Sequence, residues 1–249
     1  MVITGGEQFR IGVVLGQSSK ILVKNIVPFG LLYLAVNAPS SLYALRLAGS
    51  IDADNDPGVR LLGLAEAFIG LIAAAAITYA TVQELRGRRV GFGEFFGRGL
   101  AQAGAAIRVA LLSGLLLVLA FIALVIPGLV LYTMWWVAIP VAVIERPGAV
   151  ASLRRSASLT AGNRWRVFGV VLCFFVASIL VGLLLGMLIG ILVALAVGGD
   201  NVDVASIIAG WLLTALFMAT QAVLTAVSYY HLRVAKEGIG IDDIAAVFD

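Results

Sequence analysis

Six long apolar stretches divide this chain, near residues 21–47, 59–85, 107–126, 129–144, 167–197 and 204–230. Each is read as a membrane-spanning helix. A helix crossing a ~30 Å hydrocarbon core needs about 20 apolar residues at ~1.5 Å rise each. The stretch at 129–144 is near the lower limit, so partial shielding by its neighbours is expected. The fold class that follows is all-α: a single polytopic membrane domain over 1–249 with six transmembrane helices.

The breaks in the pattern predict the rest of the layout. Residues 7–20 carry Ile11, Val14 and Leu15 on one side and Gln8, Arg10, Gln17 and Lys20 elsewhere; this predicts a short interfacial helix ahead of the first span. Pro28, Asn37 and Pro39 interrupt that span, so kinks are expected in it. Arg86 to Arg98 reads as a basic, glycine-rich loop. Pro127-Gly128 predicts a tight reversal, and Pro140 a kink in span four. Glu145-Arg146-Pro147-Gly148 ends that span. Residues 149–161 predict a cytoplasmic amphipathic helix between spans four and five. Val150, Leu153, Ala157 and Ala161 form its apolar stripe, with Ser152, Arg155 and Ser156 pointing elsewhere. Gly162-Asn163 is its expected cap. Residues 238–249 are a cytoplasmic tail in which Asp242 can cap a short helix.

Composition strengthens the membrane reading. The residues are 61% hydrophobic and 12% charged, with mean hydropathy +1.07; soluble domains carry about 25% charged residues. Charge placement then orients the spans. Assigning loops alternately puts all but two of the 17 basic residues on one side. Arg46 and Arg60 alone join Asp52, Asp54, Asp56, Asp200 and Asp203 on the other. The positive-inside rule places both termini in the cytoplasm and implies six spans. No signal peptide is expected at the N-terminus.

The segments W-W-V-A-I-P-V-A-V-I-E-R-P-G (135–148) and A-V-A-S-L-R-R-S-A-S-L-T-A-G-N-R-W-R (149–166) resemble the glycerophosphoryl diester phosphodiesterase membrane-domain family and its YciC-like bacterial relatives. The ending from Tyr229 to Asp249 is similar too. The resemblance implies a six-helix bacterial inner-membrane protein associated with phospholipid turnover. In some relatives this domain is fused to a soluble phosphodiesterase. Here the membrane part takes up the 249 residues, so no catalytic domain is expected, and the resemblance carries over no catalytic residue.

Candidate chemistry is sparse. Arg154, Arg155, Ser156, Asn163, Arg164 and Arg166 gather donors at the cytoplasmic headgroup level. Guanidinium forks suit phosphate, so this cluster is the candidate lipid-headgroup site. Glu66 is the one carboxylate inside a span and the candidate for ion coupling; Arg46, Arg60 or Gln221 is its expected partner. Ser178, Gly182, Gly186, Gly190, Ala194 and Gly198 recur every fourth residue along span five. Gly182, Gly186 and Gly190 are its helix-packing positions, through which a neighbouring helix, a second copy or another membrane protein can approach closely. Tyr132, Trp135, Trp136, Trp165 and Trp211 are read as interfacial belt or packing residues; Trp135 and Trp136 lie mid-span, where a pocket wall is the alternative to packing.

Cys173 and His231 are the single cysteine and histidine, and no metal motif or paired intramembrane aspartate accompanies them. No enzyme activity, metal, cofactor or nucleic-acid partner is expected. Membrane lipids are the expected partners. The leading function is binding or moving a lipid or other amphipathic, phosphate-bearing molecule. The alternatives are a membrane scaffold that recruits a partner, and a proton- or ion-coupled small-molecule transporter. A continuous cavity open to lipid and lined by Arg154 or Arg155 favours the first, a tightly packed bundle with no cavity the second, and a buried Glu66 facing a water-filled cavity the third.

Overall fold

A computed structural model describes residues 9–48, 56–88, 90–197 and 202–238. All regular structure among them is α-helix. The Asp52, Asp54, Asp200 and Gly198 positions, Arg89 and the tail beyond Gly238 lie outside the described residues. Five helical segments are long and apolar enough to cross a membrane, or six when one bent pair counts as a crossing.

The first expected span is three helices. α1 (Ile11–Lys24), α2 (Ile26–Val36) and α3 (Ala38–Arg46) meet at Asn25 and Asn37. α1 and α2 diverge by 77°. The amphipathic segment therefore runs to Lys24 rather than ending at Lys20. The two asparagines cause both breaks. Asn25 Nδ2 donates to Ile21 O at 2.9 Å and Asn37 Nδ2 to Tyr33 O at 2.8 Å, each reaching back four residues. Such a side-chain bond offers the backbone an alternative to the next helical turn. Pro28 and Pro39 fall in the first turns of α2 and α3, where a missing N–H costs nothing. They follow the breaks and do not make kinks of their own.

α4 (Pro57–Leu85) starts on Asp56, whose Oδ1 accepts from Gly58 N at 2.7 Å and Val59 N at 3.3 Å. α5 (Phe92–Ala123) begins well before the expected 107. Half of the expected glycine-rich loop is helix, and it leads directly into Gly99, which serves packing. A Cβ on Gly99 would stand 2.6 Å from Ala76 Cβ, so this position lets α5 lie directly on α4. The reversal after α5 is Leu124 alone, in extended conformation. Pro127-Gly128 sits inside the first turn of α6 (Val125–Met134), and Gly128 leaves room for the Phe121 ring. α6 and α7 (Ala138–Ile144) form one 20-residue apolar segment interrupted at Trp135–Val137. Pro140 lies in the first turn of α7, so the interruption precedes it.

α8 (Ala149–Thr160) is an inserted helix rather than a surface one. Ser152, Ser156 and Thr160 are fully buried with Leu153 and Leu159, while Val150 is largely exposed. The expected stripe is thus turned, and the hydroxyl face points inward. The interruption after Met134 explains the rotation. Met134 O has lost its helical donor, and Ser156 Oγ donates to it at 2.8 Å with Thr160 Oγ1 at 3.4 Å. Gly162 ends the helix with φ +85°, a conformation glycine adopts without strain.

α9 (Arg164–Val197) lies on the outside, with Leu183, Leu184 and Leu195 mostly exposed. Exposed apolar surface of this kind suits lipid contact. Its small-residue row is not filled by a second backbone. A Cβ on Gly186 would meet Leu213 at 3.5 Å, and nothing lies within 4 Å of Gly182 or Gly190. The small residues that carry central packing are instead on α10 (Val202–Glu237): Ala215, Ala219, Ala222 and Ala226 are all buried. α10 touches α1, α2, α3, α4, α7, α8 and α9. One end of the bundle collects α1, α8, the start of α9 and the close of α10. There His231 Nε2 lies 2.7 Å from Gln17 Oε1.

Candidate functional site

A cavity of about 550 Å³ opens in the middle of the bundle. It exists because two broken segments face a row of small residues. Gly63, Ala67, Gly70 and Ala74 line it along one face of α4. Opposite them are the break at Asn37 and the interrupted turn at Trp135-Trp136. Ser113 of α5 and Gln221, Ala222 and Thr225 of α10 complete the wall.

Glu66 projects from α4 into this wall and is 6% exposed. Its partner is none of the three expected. Ser40 N–H donates to Oε1 at 2.6 Å and Ser40 Oγ donates to Oε2 at 2.5 Å. Ser40 is in the first turn of α3, where backbone N–H groups have no helical acceptor. The carboxylate thus caps the helix that begins at the Asn37 break. Ion pairing to Arg46 or Arg60 was expected from proximity in the first hairpin; the break supplied nearer donors.

Thr78 is one helical stretch further along the same wall. It is 1% exposed and its Oγ1 has no hydrogen-bond partner. A buried hydroxyl without a partner costs about 1–3 kcal/mol. Thr78 is among the residues that line the cavity.

Four aromatic rings close the chamber: Tyr33, Tyr132, Trp135 and Trp136. Tyr132 and Trp136 lie 5.7 Å apart at 59°. Gln221 lines the chamber with Tyr132. Trp136 Nε1 donates to Ser228 Oγ at 3.2 Å, which holds that indole in place. Trp211 is elsewhere, donating to Leu34 O at 3.0 Å, and Trp165 is exposed near the start of α9.

None of the six expected headgroup residues borders the cavity. They lie at the basic end and divide there. Arg155 is half-buried and engaged by two carboxylates. Its Nε donates to Glu145 Oε2 at 2.9 Å, and its Nη2 donates to Glu237. Burial alone would lower its pKa; the two carboxylates outweigh burial and hold it above the usual guanidinium range. Tyr229 Oη also donates to Glu145, at 2.9 Å, and Arg233 Nε donates to Glu237 Oε2 at 2.7 Å. This network joins the end of α7, α8 and the end of α10. Ser156 is buried on Met134 O. Asn163 Oδ1 accepts from Arg166 Nη1 at 3.3 Å, and Arg166 also reaches Phe9 O. Arg154 and Arg164 remain exposed. Arg155 and Ser156 of the cluster are thus tied into the fold, while Arg154, Arg164 and Arg166 face outward.

The comparisons with known proteins bear on the same region. The model of a domain of unknown function, DUF7847, matches residues 59–232. The chain belongs to the DUF7847 family. The DUF7847 match, and not a phosphodiesterase membrane domain, is the family assignment found. The DUF7847 region runs from the start of α4 almost to the end of α10. It therefore holds every wall of the cavity except the part from α2 and α3. No curated protein and no solved structure matches the chain.

Trp135 and Trp136, for which the sequence offered a pocket wall as the alternative to packing, do border the cavity together with Glu66. One further signal was present: Gly63, Ala67, Gly70, Ala74 and Thr78 recur at helical spacing on one face of α4. The more regular row on α9 drew the attention instead. Arg86 was also passed over. It is half-buried beside Tyr229 and Arg233, its Nε has no partner, and burial pushes its pKa down.

Proposed function

We propose that this is a six-span inner-membrane protein without catalytic activity, with both termini in the cytoplasm, that binds or moves an amphipathic small molecule through its mid-bundle cavity. The observation that carries the reading is the ~550 Å³ chamber bordered by Glu66 and the unpartnered Thr78 hydroxyl. Ligand sites are typically about 300–1,000 Å³, mainly apolar, with a few convergent polar groups. An ionisable group held at membrane depth, facing a cavity, is what a solute pathway requires. The interruptions in α2–α3 and α6–α7 support movement as well as binding, since broken helices at membrane depth border cavities.

The placement of arginine and lysine supports the orientation, and the contact between Gln17 and His231 supports termini on one side. The resemblance to the phosphodiesterase membrane domain supports a role beside phospholipids. Headgroups would then meet the exposed Arg154 and Arg164 rather than the cavity. The scaffold reading would use Gly182 and Gly190, where nothing lies within 4 Å of a Cβ, and it leaves the cavity without a role.

Native mass spectrometry of the purified protein with amphipathic compounds of one size and different charge tests this. Gly63→Phe places a ring where nothing lies within 4 Å of a Cβ. Wild type is expected to retain a compound that Gly63→Phe loses. The same spectra should show fewer anionic lipids on an Arg154→Ala, Arg164→Ala double variant. Equal retention by wild type and Gly63→Phe would overturn the cavity as the binding site.

A further inference from the structure

The geometry points to an organic cation as the cavity's ligand: an amine, quaternary ammonium or similar lipophilic cation with an apolar body. This rests on the proposed reading of the chamber as a binding site and names what it takes. Three observations converge on the class.

The first is charge. Among the described residues, Glu66 is the one carboxylate on the wall, and no arginine, lysine or histidine borders the cavity. An anion would find no cationic partner and would be repelled by a carboxylate in a medium that screens poorly. A neutral ligand would leave the carboxylate without a counter-charge.

The second is the state of that carboxylate. Ser40 supplies one donor to each oxygen. A carboxylate offers about four lone-pair sites, so two remain for a ligand. The amino end of α3 contributes about half an elementary positive charge. That balances only part of a full negative charge, and a cation supplies the rest.

The third is the set of rings. Tyr33, Tyr132, Trp135 and Trp136 share this wall with Glu66. The faces of aromatic rings are electronegative, tryptophan most strongly, and attract cations within about 6 Å. Aromatic surface with a single carboxylate is the combination that receives a positive charge buried in an apolar body. Packing alone explains the rings of an ordinary core. It does not explain their gathering around an open space with a buried carboxylate and an unpartnered hydroxyl.

Equilibrium dialysis of detergent-purified protein against tetraphenylphosphonium and the neutral triphenylphosphine oxide, with micelle-only chambers as reference, tests the class. Wild type is expected to hold the cation at least about tenfold more tightly than the neutral compound. Glu66→Gln still accepts from Ser40, so the cap persists. It should remove that preference while leaving the neutral compound unaffected. Trp135→Leu should weaken the cation more than Trp135→Phe does. Equal retention of both compounds by wild type, unchanged in Glu66→Gln, overturns the cation assignment and leaves the binding site standing. Retention of neither compound by wild type overturns the binding site and the cation assignment together.

Discussion

Arg154 and Arg155 are adjacent in the chain and meet different surroundings. The first is exposed; the second spans Glu145 and Glu237, with 30% of its side chain accessible. Removing Arg155 leaves two carboxylates, about a fifth accessible each, without their shared cation. Breaking a fully buried pair costs about 3–5 kcal/mol. Partial exposure here reduces this, so Arg155→Ala is expected to cost about 2 kcal/mol. Arg154→Ala should stay within about 0.5 kcal/mol, as exposed substitutions do. Thermal unfolding in detergent would compare them, and equal midpoints would remove the structural role given to Arg155. The sequence marks both arginines as basic and local to one loop. It cannot mark Arg155 as paired, because Glu237 is 82 residues away. Glu66 was legible for the opposite reason: a carboxylate within an apolar run stands out whatever its partner. Ser40 was not legible, since only the Asn37 break turns its N–H into a donor without a helical acceptor.

At the scale of elements, periodicity located helices well and faces poorly. α4, α9 and α10 fall close to their apolar runs, because a long run in lipid has no alternative to helix. The buried face of α8 depends on a partner instead. Its hydroxyls turn inward to reach Met134 O, which needs donors only because α6 stops there. The start of α5 was hidden by its glycines, which read as loop, although one of them, Gly99, acts as a contact. Gly97 and Gly99 separate these two roles. Nothing lies within 4 Å of a Cβ at Gly97, whereas at Gly99 a Cβ would collide with Ala76 at 2.6 Å. Gly97→Ala should gain about 0.5–1 kcal/mol from helix propensity. Gly99→Ala should lose about 1–3 kcal/mol as α5 is pushed from α4. The two variants shift the unfolding midpoint in opposite directions if α4 and α5 touch as described. A shift of the same sign in both would show that the Gly99 contact is not formed.

For the whole molecule, everything turns on the first 46 residues. Five long apolar segments form without them, and an odd number of crossings would leave the two chain ends on opposite faces. α1 decides between the counts. Val14 and Ile21 are buried, α1 packs on α9 and α10, and Gln17 meets His231 near the close of α10. α1 therefore lies beside the place where α10 ends. On the proposed layout of six spans, the chain crosses once more within its first three helices before α4 begins. That crossing brings Tyr33 and Asn37 to the cavity and Ser40 to Glu66, so the layout and the site stand or fall together. Reporter domains fused to either end should both be protected in right-side-out vesicles and both be cleaved in inverted ones. Cleavage of one end in each preparation would separate Gln17 from His231 and detach the first crossing. The wall that α2 and α3 give the cavity would then be lost.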